Sequence, residues 1–232
     1  AETSGHKLVV TDGVFSMDGD VAPLAELARV CRAHDALLVV DDAHGIGVLG
    51  PEGRGSVAEL GLSEEDVPVL IGTLGKAVGT SGAFVAGPPM LMDYLVQKAR
   101  TYIYTTAMPP AIAMATISSL DLIERDQGRR DHVMGLVSRF RREASAMGYE
   151  LMSSRTPIQP IMIGDNYGAL ALSRALEKRG LLVSAIRPPT VPVGEARLRV
   201  TFSAAHSQED LDCLLGGLSE CRHLLQKTDV AI

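Results

Sequence analysis

The sequence predicts an α/β chain: a domain with a mainly parallel sheet over residues 1–126, then a smaller α+β domain over 127–232. Three features carry this. Ala36–Val40 is an unbroken apolar run, the pattern of a parallel strand covered on both faces. Before it, Leu24, Leu27, Ala28 and Cys31 recur at i, i+3, i+4 and i+7, one apolar helix face. With the short apolar stretch Leu8–Val10 ahead of both, the order is strand, helix, strand, a right-handed parallel crossover by default.

Composition narrows the class. The 232 residues are 46% hydrophobic and 22% charged, an ordinary globular profile. The formal net charge is −6 and no basic run is present, which argues against nucleic acid or an anionic membrane as partner. Cys31, Cys213 and Cys221 share no C-x-x-C spacing. Cys31 and Cys221 fall on apolar helix faces, which suits core packing in a reducing cytoplasm, and no metal site is expected. No apolar run approaches the length of a membrane span.

Taken in order, the strand from Lys7 runs into Thr11-Asp12-Gly13 and a loop to Asp20. Pro23 opens a helix to about His34. After His44, glycines 45, 47 and 50 fit G-x-G-x-x-G, but Pro51 and Gly53 follow at once, so no helix opens to complete a dinucleotide site. A shaped loop is expected instead. Val67–Ile71 and Ala83–Ala86 read as strands, Pro88–Arg100 as a helix, and Tyr102–Thr106 as a β-rich run. Ala111–Arg125 and Arg130–Met147 read as helices, with the domain boundary between them.

Strand Ile158–Ile163, a helix from Tyr167 to Arg179 capped by Asn166, and strands Leu182–Ile186 and Leu198–Phe202 follow. Ser207 and Asp210 form a capping box for a last helix, whose buried stripe is Leu211, Leu214, Leu215, Leu218 and Cys221. In Ala196–Val200 two arginines alternate with apolar residues, so Arg197 and Arg199 share one side while Leu198 and Val200 face the core. Read from the residues alone, the arginines either line a solvent-facing strand or serve bidentate carboxylate binding.

Chemistry gathers at strand ends. Lys76 follows the apolar run Val67–Ile71, with Gly75 before it and Gly79 after. Ala36–Val40 runs into Asp41, Asp42 and then His44. Ligands of open α/β sheets sit outside the carboxyl ends of the strands, so Asp41, His44 and Lys76 are expected at one crevice. A lysine that anchors the ring covalently and a carboxylate that pairs with its pyridinium nitrogen suit pyridoxal phosphate. Adjacent strand residues point to opposite faces, so only one of Asp41 and Asp42 can face the ring, and replacing the other by Asn is expected to be mild.

Thr11–Asp20 (T-D-G-V-F-S-M-D-G-D), Asp41–Gly45 (D-D-A-H-G) and Gly72–Gly79 (G-T-L-G-K-A-V-G) together resemble the α-oxoamine synthases, fold-type I pyridoxal phosphate enzymes. The resemblance runs from Lys7 to about Leu225. It implies that Lys76 holds the cofactor, Asp41 its ring nitrogen, and His44 and Ser16 its phenolic oxygen side. It also implies Thr73 on the phosphate, Thr105 or Thr106 reaching the phosphate of a partner subunit in a homodimer, and Asp12 supporting the substrate site. Arg199 is implied to bind the amino-acid carboxylate. Lys76, its pKa lowered by burial and cationic neighbours, then takes the α-proton.

Ile158–Asn166 and Ala185–Pro192 resemble the biotin-pathway branch, with Thr190 in the substrate site. That branch condenses L-alanine with a pimeloyl thioester of CoA or acyl carrier protein, releasing the thiol and CO2. The alternatives are the same chemistry on glycine and acetyl-CoA, or an inactive truncated remnant. Family members carry a long segment ahead of the first strand, including a residue that stacks on the cofactor ring. The sequence is therefore expected to be a fragment, inactive by itself.

Overall fold

The computed structural model describes residues 5–225. They form two compact units: residues up to Phe15 with Val21–Gln127, and Ser16–Asp20 with the residues from Gly128 on. Ser16–Asp20, expected in the first domain, instead belongs to the second unit.

In the first unit, β1 (Lys7–Asp12), β2 (Ala36–Asp41) and β3 (Val69–Thr73) are parallel neighbours, and β4 (Ala83–Ala86) joins β3 antiparallel at the edge. Crossover helix α1 (Leu24–Ala33) buries Leu24, Ala28 and Cys31 against Leu38 and Val40 of β2. Each large apolar side chain buried this way contributes about 1.5–3 kcal/mol. The alternation that points Leu38 and Val40 at α1 sends Leu37, Val39 and Asp41 to the other face. Register pairs Leu8 with Leu37, Val10 with Val39 and Asp12 with Asp41, so Leu8, Val10 and Asp12 share that face. Leu8 and Val10 are 62% and 68% exposed there.

Between β2 and β3 lie a single 3-10 turn at Pro51–Gly53 and the short helix α2 (Ser56–Glu59). Gly47 and Gly50 take φ of +80° and +77°, so the glycine-rich stretch is a shaped loop. The helix expected over Pro88–Arg100 is split into α3 (Pro89–Lys98) and α4 (Arg100–Ile103) at Ala99, which is extended at φ −72° and ψ 103°. Tyr102–Thr106 is helix end and coil rather than strand. Strand propensity expresses itself only against a pairing neighbour, and this run has none among the described residues. Helix α5 (Pro110–Arg125) closes the unit.

In the second unit, helix α6 (Gln127–Ala146) leads into β5 (Glu150–Leu151), β6 (Ile158–Gly164), helix α7 (Asn166–Glu177), β7 (Ser184–Ile186), β8 (Ala196–Thr201) and helix α8 (Gln208–Cys221). The sheet order is β5-β6-β8-β7, antiparallel throughout. Its core joins Leu136 and Phe140 of α6, Leu172 and Leu176 of α7, Leu198 of β8 and Leu218 of α8. Phe140 and Phe202 meet edge to face at 5.3 Å.

The cap of α7 is Asp165, not Asn166: its carboxylate accepts from the Gly168 N–H at 2.6 Å, and Asn166 is already helical. The α8 capping box is present, with both Ser207 and Asp210 engaged, and the expected stripe of that helix is buried. Cys31 and Cys221 are buried and Cys213 is exposed, all as free thiols. No described helix is long and apolar enough to cross a membrane.

Candidate active site

The first unit brings Asp12, Asp41, His44 and Lys76 together. Asp12 and Asp41 end adjacent parallel strands in register, on the face opposite α1. Thr73 ends β3 on that same face, two residues beyond the Asp41 partner Ile71. All three sit at carboxyl ends, where open sheets place ligands. Lys76 lies in the loop between β3 and β4, and its Nζ is 3.1 Å from Nε2 of His44.

That loop is held at both ends. Leu74 N–H donates to Gly82 O at 2.9 Å, and Thr80 N–H donates to Leu74 O at 2.7 Å. Two hydroxyls of α5 pin its far side: Ser119 Oγ donates to Val78 O at 2.6 Å, and Thr116 Oγ1 meets Thr80 Oγ1 at 2.9 Å. Gly47 brings the His44 loop close enough that a Cβ would sit 2.6 Å from Cβ of Ala77. Lys76 itself is exposed, so the burial expected of it is not there.

Electrostatics agree with the convergence. Asp12 is pushed above the ordinary carboxylate range by burial and by the Asp41 charge, against the pull of Lys76. Asp41 is half-buried and accepts from the Ala43 N–H at 3.0 Å. Asp42, on the opposite face, is fully buried. It accepts from Ser56 N–H at 2.7 Å and Ser56 Oγ at 2.8 Å, and burial pushes its pKa up to about 6. Glycines 13, 45 and 55 crowd this carboxylate, a Cβ on each falling within 2.5 Å of one of its oxygens. Asp42 ties the end of β2 to Ser56 at the start of α2, so a mild effect of replacing it is not what this geometry implies. Alternation shows that Asp42 points away from Asp41, but nothing in the sequence singles out Ser56 as its partner.

The other predicted residues are placed as follows. Thr73 Oγ1 donates to Gly82 O and accepts from Gly75 N–H, both at 3.3 Å, within the Lys76 loop. Thr105 and Thr106 are exposed beyond α4, Thr105 Oγ1 turned back onto Thr101 O. In the second unit, Ser16 lies half-buried in the turn Ser16–Asp18, and Thr190 is exposed in a turn closed onto Arg187 O at 3.0 Å. Arg199 is half-buried on β8, and its Nε is fully buried with no hydrogen-bond partner. Arg197 is not solvent-facing: it is 1% exposed and ion-paired. Its acidic partner Asp18 lies so far back in the chain that no local pattern marks the pair.

The donor set fits a pyridoxal phosphate. An accessible primary amine beside an imidazole, with a half-buried carboxylate to match a protonated ring nitrogen, is what that group requires of a protein. The comparisons agree. A 8-amino-7-oxononanoate synthase of Marinobacter nauticus is 75% identical over 227 residues, covering 98% of this chain and 58% of that protein. Among solved structures, a serine palmitoyltransferase from S. paucimobilis with a bound pyridoxal phosphate–myriocin aldimine has a TM-score of 0.91 at 31% identity, covering 97% of this chain and 57% of that one. An 8-amino-7-oxononanoate synthase from Francisella tularensis has a TM-score of 0.81 at 30% identity, covering 97% and 63%. The chain thus spans little more than half the length of the relatives it matches. The family model described as aminotransferase class I and II matches residues 1–218, and the chain belongs to that family.

Proposed function

We propose that this chain serves a pyridoxal phosphate-dependent acyltransferase of biotin synthesis, an 8-amino-7-oxononanoate synthase. Its substrates would be L-alanine and a pimeloyl thioester of CoA or acyl carrier protein, and its products the amino-keto acid, CO2 and free thiol. The observation that carries this is the Lys76–His44 contact of 3.1 Å at the strand ends where Asp12 and Asp41 converge. The names of the relatives support the substrate assignment.

Bound, the cofactor supplies an electron sink for the carbanion at the amino acid's α-carbon. The residues do the rest. Lys76 Nζ anchors the cofactor, and once displaced by substrate it takes the α-proton, with the His44 imidazole beside it. Asp41 sets its negative charge against the ring nitrogen and keeps a proton there. Ser16 and Thr73 offer hydroxyls to the phenolic and phosphate oxygens. Asp12 supports the substrate side, and Thr190 lines it. Arg199, whose buried Nε has no internal partner, offers that donor to the substrate carboxylate. The proposal extends to a homodimer in the cytoplasm: exposed Tyr102 and Tyr104 flank the segment whose Thr105 or Thr106 would meet the partner's phosphate.

Borohydride reduction of the protein mixed with pyridoxal phosphate, followed by peptide mass spectrometry, tests the anchor. The label should fall on the peptide containing Lys76; label on Lys98 overturns the assignment. Thiol release from pimeloyl-CoA with L-alanine, set against acetyl-CoA with glycine, tests the substrate pair.

A further inference from the structure

Arg197 and Arg199 alternate on β8 and start from the same side-chain chemistry, yet the fold uses them differently. Arg199 keeps a buried Nε without a partner. Arg197 is committed on every side. Its Nε donates to Glu195 O at 3.0 Å, one terminal nitrogen to Glu195 Oε2 at 3.1 Å, and the other to Met152 Sδ at 3.1 Å and to the carboxylate of Asp18. A guanidinium has five N–H donors in a fixed fork, and one this enclosed cannot take a substrate carboxylate without releasing Asp18.

Asp18 belongs to the turn that carries Ser16, and that turn is gripped a second time. Gly19 O accepts from Ser154 Oγ at 2.9 Å and from Thr156 Oγ1 at 3.0 Å. Gly19 holds φ +68°, and a Cβ there would lie 2.4 Å from Ile158 O, so the backbone sits flush against β6. The clamp is backed by Gln159, fully buried, whose Nε2 donates to Thr156 O at 2.6 Å and whose Oε1 accepts from Arg141 at 2.7 Å.

We propose that Arg197 is a positioning residue. Through Asp18 it fixes the Ser16–Asp20 turn, and with it the direction of the Ser16 hydroxyl toward the cofactor. The inference rests on the assignment of Ser16 to the cofactor made above. It also separates the two arginines: one holds a loop, the other offers a free donor.

The test is a pyridoxal phosphate titration, followed by absorbance, of the parent and of Ser16→Ala, Asp18→Asn, Arg197→Met and the double variant Ser16→Ala with Asp18→Asn. Amide hydrogen exchange over residues 15–20 is measured on the same proteins without cofactor. Asp18→Asn is the gentle variant, since it leaves Arg197 paired with Glu195. Gly19→Ala displaces the turn without touching any charge.

Asp18→Asn, Arg197→Met and Gly19→Ala should each speed exchange in the turn. Each should weaken cofactor binding about tenfold, the worth of one hydrogen bond to a charged group, as Ser16→Ala does. The double variant should be no weaker than Ser16→Ala alone. A structural role without aim at Ser16 would make the two losses multiply, and that result overturns the proposal. So does unchanged exchange in Asp18→Asn. Ser16→Ala binding like the parent overturns the assignment of Ser16, while the exchange data still report whether the clamp exists. Absence of any cofactor uptake by the parent overturns the site and this proposal together.

Discussion

The strand-end carboxylates of the first unit, which elsewhere holds matched pairs such as Arg54 with Glu52, contrast with the charged groups of the second. In the first, Asp12, Asp41 and Asp42 crowd the ends of neighbouring strands, and burial and mutual repulsion raise Asp12 and Asp42. In the second, charged groups are matched. Arg139 meets Glu143 at 2.9 Å and also Asp212, Arg179 meets Glu220 at 3.0 Å, and Arg197 meets Asp18 and Glu195. Hydrogen bonds from Arg139 hold Glu143 below its ordinary range. Matched pairs are what a fold needs to stay folded. Crowded like charges cost free energy and persist where another group is meant to answer them. The difference supports the proposal that the chemistry lies at the strand ends of the first unit, with Arg199 and its unmatched buried Nε the exception in the second.

The largest effect comes from breaking the matched unit at its core. Phe140 is fully buried between α6 and the sheet, edge-on to Phe202. Phe140→Ala removes the ring and leaves a cavity that rigid neighbours fill only in part, at a cost of about 3–5 kcal/mol. Urea denaturation should show the loss as a lower midpoint for the transition of the second unit. A loss under about 1 kcal/mol would mean that this core relaxes freely and that the charge pairs, rather than the apolar contacts, hold the unit.

Much of this division was legible in the sequence. The apolar run Ala36–Val40 and the helical spacing of Leu24 to Cys31 are local patterns, and local patterns gave β2 and α1. The motif at Asp41–Gly45 and the lysine at Lys76 each sit where a strand stops, so parallel topology alone brought them together. The same alternation that aimed Asp41 also aimed Asp42 the other way. What could not be read were pairings across distance. Asp18 with Arg197, and Asp42 with Ser56, depend on how separate elements pack. The β-rich look of Tyr102–Thr106 misled because strand propensity needs a neighbour to pair with. Asp165 and Asn166 are both residue types that cap well, and the choice between adjacent candidates depends on where helical backbone begins.

The second effect tests the crowded side. Asp42 has a folded pKa of about 6 against an ordinary value of 3.8. Its ionised form is the one the fold disfavours. Its contribution to stability is therefore full below the ordinary value and is lost as pH rises through about 6. At 1.36 kcal/mol per pKa unit the change is at most about 3 kcal/mol. Asp42→Asn removes the titration. Between pH 4 and pH 7 the variant should gain on the parent by up to about that amount, measured by denaturation at each pH. A difference that stays flat across this window would mean that Asp42 is not the strained carboxylate of the first unit.

The smallest effect lies at the start of α8, where a carboxylate is matched instead of crowded. Ser207 Oγ accepts from the Asp210 N–H at 3.1 Å, and Asp210 Oδ2 accepts from the Ser207 N–H at 2.8 Å. These bonds satisfy two of the backbone donors that a helix start leaves open. Ser207→Ala removes one of them and should cost about 1 kcal/mol, whereas Ser207→Gly should cost only a few tenths. The Ser207 backbone N–H, and then its hydroxyl, hold the Asp210 carboxyl below 3.8. Its sign is the reverse of Asp42: the stabilisation is present above the ordinary value and is lost as pH falls through the folded one. Acidification should therefore relieve the buried charge at Asp42 while weakening the α8 cap. Exchange of the Ser207 amide, the donor to that carboxylate, in Asp210→Asn against parent, at pH 5 and at pH 3, reads the second half directly. Protection in the parent that does not fall toward that of the variant on acidification would place this carboxylate among the unmatched ones.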